Sequence, residues 1–169
     1  MYLTRGSILF LLLLLPMRNS DAQTLKGAVI IGLEGYVERH DDDNTWANIS
    51  LGLGYLQTDR IGFGFGTGIS KSPDFATSYR LSGDASYHFN MEPGVQRFIP
   101  RIRIRGGGHW GGEDTATFWV GSLGSRYYFN NHAGFSTNLW YAKQYSDDWE
   151  LDYSAIGISW GVFVQFKVE

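Results

Sequence analysis

The sequence contains no cysteine, and only 4 of its 169 residues are proline. An exported chain of this composition cannot be closed by disulfides, so its fold must close in another way. Charge is also scarce, because Asp, Glu, Lys and Arg together make up 18% of the residues and the formal net charge is −3. A chain without an excess of positive charge is not expected to bind nucleic acid.

The sequence also offers little that could cross a membrane as a helix. An apolar run follows Arg5, but it extends only from Ile8 to Leu15, and small residues then lead to Ala22. This pattern predicts a secretory signal peptide over residues 1–22, with an uncleaved anchor as the alternative. The mature chain, residues 23–169, then forms a single domain.

Glycine and aromatic residues are abundant, and their spacing indicates strands. The segment Ile61–Ile69 places apolar side chains or threonine at odd positions and glycine at every even position, a period of two that no helix shows. Glycine and serine opposite an apolar face suit a narrow interior better than a water-facing exterior. We therefore expect the apolar face to lie outside, against lipid, as in membrane β-barrels.

Eight segments have this alternation and the length that a tilted membrane-spanning strand needs. The sequence therefore predicts an all-β fold, an eight-stranded antiparallel up-and-down transmembrane β-barrel with both chain ends on one side. Within the sixth segment, Trp119 and Leu123 are expected outside, which turns Phe118 and Val120 into the lumen. The predicted strands cover residues 27–38, 46–57, 61–71, 78–89, 98–109, 115–129, 134–145 and 153–168.

The inward positions carry charges that should pair with each other, because an isolated ion in a closed lumen is costly. Three arginines alternate with two isoleucines in 101–105, so all three point one way, and lipid would penalise them heavily. Excess arginine also suits an anion site or pore, but an eight-stranded barrel is filled by its own side chains, which favours a structural polar core. The predicted lumenal ionic network contains Glu34, Arg80, Asp84, Arg101, Arg103, Arg105 and Arg126.

Acidic residues cluster in the loops that follow odd-numbered strands and form one acidic rim. Solvation of exposed loops is the simpler interpretation. Bridging of lipopolysaccharide by divalent cations, or contact with a basic partner, is the alternative. The triple aspartate lacks the glycine and distal glutamate of an EF-hand, so we predict no metal site and no cofactor. The rim contains Asp41, Asp42, Asp43, Asp147, Asp148, Glu150 and Asp152.

Catalysis is not predicted, and no catalytic residue is assigned. Some eight-stranded outer-membrane barrels modify lipid A through a histidine with serine or carboxylate helpers. The four histidines are His40, His88, His109 and His132, and none is followed two residues later by serine. A lipid A-modifying enzyme remains an alternative, because a catalytic triad forms in space and not in sequence.

The signal peptide, the alternating segments, the glycine-rich strand and the strand end at 126–130 together resemble small outer-membrane β-barrel proteins. The pattern is similar to the OmpX/Ail type and to the transmembrane domain of OmpA, over residues 23–169. The resemblance implies a monomer in the outer membrane of a Gram-negative bacterium, among lipids and lipopolysaccharide. It also implies a last strand read by the barrel-assembly machinery through Trp160, Val162, Val164 and Phe166, although Lys167-Val168-Glu169 follows where the family usually ends in an aromatic residue.

A soluble lipocalin-like barrel is the main competing interpretation. It also has eight strands and a signal peptide, but it turns its apolar face inward around an apolar ligand. The polar face discriminates between the two, because a water-facing exterior should be rich in Lys, Glu and Thr. Here that face consists mostly of Gly, Ser and Asn with clustered arginines, which favours the membrane barrel.

Overall fold

Eight antiparallel strands, each paired with its neighbours in the chain, form one closed barrel. The structure is a computed structural model and describes residues 26–39, 45–71, 77–89, 97–111, 114–146 and 153–167. The predicted all-β, up-and-down barrel is confirmed, and most strand ends lie within two residues of the predicted ones. The strands are β1 Ala28–Arg39, β2 Thr45–Leu56, β3 Ile61–Lys71, β4 Ser78–His88, β5 Phe98–Gly111, β6 Asp114–Tyr128, β7 Ala133–Ser146 and β8 Tyr153–Lys167.

The register between neighbouring strands keeps the two faces of the barrel separate. In the β2–β3 pair, Leu53 lies opposite Phe65 on the outside, and Gly52 lies opposite Gly66 on the inside. Because side chains alternate with a period of two, this register places every apolar position of β3 outside the barrel. Phe65 is accordingly 72% exposed.

The first and last strands close the barrel. Ala28 pairs with Lys167, and the pairing continues to Tyr36 opposite Ser159. Closure removes both free sheet edges, so the backbone groups of every strand have partners on both sides. The described part of the chain contains no helix long and apolar enough to span a membrane.

Two described turns lie at the end of the barrel where β1 begins and β8 ends, which we call the termini end. In the turn at 57–60, the Thr58 hydroxyl accepts hydrogen bonds from the backbone of Arg60 and Ile61 at 3.1 and 2.9 Å. In the turn at 129–132, the Asn130 side chain accepts two backbone hydrogen bonds, each 2.8 Å long. These bonds satisfy backbone groups that the ladders leave unpaired.

A cluster of apolar side chains fills the lumen at the termini end, and we call it the apolar plug. Its two aromatic rings, Tyr128 and Phe163, meet edge to face with centroids 5.0 Å apart. The Tyr128 hydroxyl donates a 3.1 Å hydrogen bond to the buried Gln165 side chain. Sequence reasoning described the inward face as polar and did not identify this plug. Its members are Ala28, Ile30, Leu56, Ile99, Tyr128 and Phe163.

Candidate functional site: the barrel lumen

Two walls of different character face each other across the lumen. The glycine wall lies on β2 and β3, and the arginine wall lies on β5 and β6. Side chains alternate between the two faces of a strand, and each wall consists of some of the inward positions of its two strands. These positions are glycine, with no side chain, on the glycine wall and arginine, with a long charged side chain, on the arginine wall. The glycine wall contains Gly52, Gly54, Gly62, Gly64, Gly66 and Gly68, and the arginine wall contains Arg101, Arg103, Arg105 and Arg126.

At several positions the glycine wall leaves no room for a side chain. A Cβ atom on Gly64 would collide with the Asp84 carboxylate and lie 3.1 Å from the backbone oxygen of Leu53. At Gly52, by contrast, the nearest atom to an added Cβ is 3.8 Å away. An added methyl group would therefore collide with a neighbour at Gly64 but make only ordinary van der Waals contacts at Gly52.

Glu34 is the centre of the polar contacts in the middle of the lumen. Arg103 Nη2 donates to both oxygens of Glu34 at 2.7 and 2.9 Å, and Arg105 Nη2 donates to Oε2 at 3.0 Å. Asn138 Nδ2 and Ser159 Oγ each donate to Oε1 at 2.8 Å. One carboxylate thus accepts hydrogen bonds from β5, β7 and β8 and joins these three strands to β1.

The second lumenal carboxylate contributes less. Asp84 Oδ1 lies 4.0 Å from Arg103 Nε, the limit for an ion pair. Asp84 and Glu34 therefore share Arg103, but the close contact, from Nη2 to both carboxylate oxygens, is made with Glu34. Of the seven side chains predicted to form the ionic network, the structure brings these two carboxylates together with Arg103 and Arg105.

The other three arginines lie in the lumen with neutral or aromatic partners. Arg101 donates to Asn138 Oδ1 from Nε at 3.3 Å and from Nη2 at 2.9 Å. Arg126 places its guanidinium carbon 4.9 Å from the centre of the Phe163 ring. Arg80 lies 4.6 Å from the centre of the Phe118 ring and donates to the Tyr36 hydroxyl at 3.0 Å.

Aromatic side chains occupy the lumen on the side of Glu34 away from the apolar plug. The rings of Tyr36 and Trp140 have centroids 5.1 Å apart. Phe118 is buried, and it lines a cavity here together with Val120, so both point inward as the sequence predicted. The lumen therefore has three layers, which are the apolar plug, the contacts of Glu34 and this aromatic layer.

The outer surface is an almost continuous apolar band. Ile104, near the middle of β5, is 64% exposed, and Ile156, toward the start of β8, is 69% exposed. This arrangement is the reverse of the lipocalin-like alternative, which requires the apolar face inside. It also gives the arginine wall an outer face of isoleucine, as the alternation in 101–105 predicts.

The last strand adds to this apolar band. Trp160 and Phe166 are 57% and 51% exposed, and Val162 and Val164 lie on the same outward face. Val162 and Val164 pair with Leu33 and Ile31 of β1, so the closing seam is apolar on its outside. The structure thus presents the four residues of the predicted assembly strand to the surroundings of the barrel.

Several predicted features lie outside the described residues. These are the signal peptide and the acidic rim, of which Asp41, Asp42, Asp43, Asp147, Asp148, Glu150 and Asp152 all fall in the loops at 40–44 and 147–152. His40 also lies there. Nothing in the structure bears on these predictions.

Two of the described histidines, His88 and His132, lie in different surroundings. His88 is fully buried in the lumen, where its Nε2 lies 3.1 Å from the Ser86 hydroxyl. His132 lies in a turn with Nδ1 3.3 Å from the Gln165 backbone oxygen. Within the described ranges, no three side chains of Asp, Glu and His come together to hold a metal ion.

Asn138 and Ser159 are the polar residues of the lumen that sequence reasoning missed as partners of Glu34. Both are buried, and both stand at inward positions of their strands. Strand parity could have placed them inside. It could not have shown that they lie beside a carboxylate of β1, because that depends on the stagger of the strands around the barrel.

Three solved β-barrel structures are similar to this chain in architecture. The N-terminal β-barrel domain of Pseudomonas aeruginosa OprF is similar with a TM-score of 0.57 at 20% identity, covering 83% of this chain and 98% of that domain. The outer membrane protein OprG of the same organism has a TM-score of 0.57 at 13% identity, covering 88% and 100%. A de novo designed transmembrane β-barrel has a TM-score of 0.51 at 11% identity, covering 85% and 99%.

The comparisons with sequences add nothing to this likeness, because neither a protein-family model nor a curated protein sequence matches the chain. At these identities the solved structures are informative about architecture alone. The resemblance to small outer-membrane barrels, first noted in the sequence, is confirmed as a likeness of fold: a closed, eight-stranded antiparallel barrel.

Proposed function

We propose that this chain is an integral β-barrel protein of the outer membrane of a Gram-negative bacterium. The apolar band that surrounds the barrel carries the proposal, because water would not favour so much exposed Leu, Ile, Phe and Trp. Lipid is the solvent in which an apolar outside and a polar inside are both stable. The signal peptide expected over residues 1–22 would provide the export step.

The proposed role is structural or involves surface interaction, with the lumen closed by its own side chains. The apolar plug and the contacts of Glu34 occupy successive layers along the barrel axis, so a solute would have to displace both. Enzymatic action on lipid A is not part of the proposal, since the described His88 is enclosed in the lumen and away from lipid.

Further parts of the proposal concern partners. The outward face of β8, with Trp160, Val162, Val164 and Phe166, would be recognised by the barrel-assembly machinery during insertion. The acidic rim would face outward, where its charges would keep the loops solvated beside lipopolysaccharide, with bridging by divalent cations as the alternative. The barrel closes on itself and leaves no strand edge to pair, which fits a monomer.

Cell fractionation tests the location. The precursor is expressed in a Gram-negative host, the membranes are separated, and the protein is run on SDS gels with and without boiling. We expect enrichment in the outer membrane, a band that shifts on heating, and a mature N-terminus at Gln23 by mass spectrometry. A soluble periplasmic product would refute the proposal and return attention to the lipocalin-like alternative.

Planar bilayer recording tests the closed lumen. We expect no stable conductance from the folded protein. An open channel in the native protein would contradict closure without contradicting the membrane location.

A further inference from the structure

A polar cavity lies inside the barrel between the apolar plug and the contacts of Glu34. It is bounded on one side by the glycine wall, where Gly52 and Gly54 carry no side chain, and it has a volume of about 70 Å³. A single water needs only roughly 10–15 Å³ of such space. The cavity is therefore large enough for several waters or for one small polyatomic ion.

The charges around this cavity are unbalanced. Among the described side chains that line it there are four arginines against two carboxylates, Glu34 and Asp84, an excess of two positive charges. All four residues of the arginine wall line the cavity. Glu34 is engaged by Arg103 and Arg105, so the excess charge falls on Arg101 and Arg126.

Arg126 has charged donors aimed into this space that nothing in the described part of the chain satisfies. The residue is 8% exposed, and its Nε and Nη1 atoms are buried without a hydrogen-bond partner. Nδ1 of His88, which also lines the cavity, is likewise unpaired, and Arg101 has only the neutral Asn138 amide. Leaving charged donors buried and unpaired is costly, so the site should hold an acceptor.

We infer that this cavity binds a small oxyanion, of the size and chemistry of inorganic phosphate or a short carboxylate. Guanidinium groups present parallel N–H donors that match the oxygens of such ions. The oxyanion would balance the charge of Arg101 and Arg126 and accept the donors that the protein leaves free. The site concerns the lumen of the folded barrel and does not depend on the proposed location of the protein.

Refolding at equilibrium provides the test, because an anion that binds only the folded state raises its stability by mass action. The chain is refolded from urea into a neutral detergent free of lipopolysaccharide, across a series of inorganic phosphate concentrations. Sodium gluconate, whose anion is too large for the cavity, keeps the ionic strength constant. We expect the urea midpoint of the native protein to rise with phosphate, and the absence of any rise would overturn the inference.

Two variants locate the effect. Arg126→Met should weaken the apparent affinity for phosphate by roughly tenfold or more, since it removes the unpaired charged donors. Arg80→Met removes a lumenal charge from the opposite layer, where the arginine does not line this cavity, and should keep the response. An equal loss in both variants would mean general electrostatic screening and would refute the site.

A third variant keeps the test decisive if Arg126→Met does not fold. Gly52→Leu fills the cavity from the glycine wall without changing any charge, at a position where the nearest atom to an added Cβ is 3.8 Å away. We expect it to fold and to lose the phosphate response. A retained response in this variant would show that phosphate binds elsewhere.

Discussion

The two walls of the lumen differ sharply in the size and charge of the side chains that they carry. The six glycines of the glycine wall contribute no side chains to the lumen, whereas the arginine wall on β5 and β6 contributes four long charged ones. A barrel of eight strands has room for only one set of large side chains across its width. The glycines are therefore as necessary to the charged contacts as the arginines are, because they leave the space into which the arginines and their partners extend.

Removal of the Glu34 carboxylate, the central partner of the arginine wall, should lower the stability of the barrel more than any other change considered below. Glu34→Gln keeps the shape of the side chain but leaves Arg103 and Arg105 without their close carboxylate. We expect the free energy of unfolding to fall by about 3–5 kcal/mol, the usual effect of removing one member of a buried ion pair. Urea titration of the barrel in lipid vesicles measures this change.

The matched control for this prediction is Asp84→Asn. It makes the same carboxylate-to-amide change at a residue whose ion pair with Arg103 is 4.0 Å long. Its effect should be clearly smaller. Equal losses in the two variants would mean that total lumenal charge, and not the contacts of Glu34, decides stability.

Arginine should destabilise the barrel on the outer face of the arginine wall, although the inner face of the same strands carries arginine. Ile104→Arg puts a charge on the lipid side at the middle of β5, and we expect a loss of about 2–4 kcal/mol. Ile69→Arg makes the same change near the end of β3, where the penalty falls to about 0–1 kcal/mol. Similar losses at both depths, measured in the same vesicle titration, would contradict a bilayer around this barrel.

The glycine wall should respond to a single methyl group according to position. Gly64→Ala drives a Cβ into the Asp84 carboxylate, and we expect it to destabilise the barrel by about 1–3 kcal/mol through overpacking. The methyl group of Gly52→Ala makes only ordinary van der Waals contacts, with the nearest atom 3.8 Å away, so this change should be close to neutral. If the two variants unfold at the same urea concentration, close packing is not the reason for glycine on this wall.

The smallest effect is expected in the apolar plug, from the loss of a single neutral hydrogen bond. Tyr128→Phe removes the hydroxyl that donates to Gln165 and should lower the free energy of unfolding by about 0.5–1.5 kcal/mol. Tyr127→Phe alters the neighbouring outward residue, which is 42% exposed, and serves as the control. A larger loss in the control would place the important hydroxyl at the membrane interface.

Strand alternation was sufficient to predict the barrel and the side of the sheet on which each charge lies. Even the ambiguous sixth segment was assigned correctly, with Phe118 inside and Trp119 outside. The partners of those charges could not be predicted, because Arg103 and Glu34 are 69 residues apart and meet only through the stagger of the closed sheet. The apolar plug was missed for a related reason: Ile30 and Phe163 share the inward parity of polar residues, and parity carries no information on depth along the axis.

The pairing of β1 with β8 has a consequence for the order in which the barrel folds. Ala28 and Lys167 pair although almost the whole described chain lies between them, so this ladder is the contact of longest range in the fold. Contacts of this kind form late, since a large loop entropy must be overcome first. Until then two unpaired strand edges face the lipid, which tolerates none. Any shortening of β8 should therefore halt biogenesis outright, and partly folded barrels with seven strands should not accumulate in the membrane.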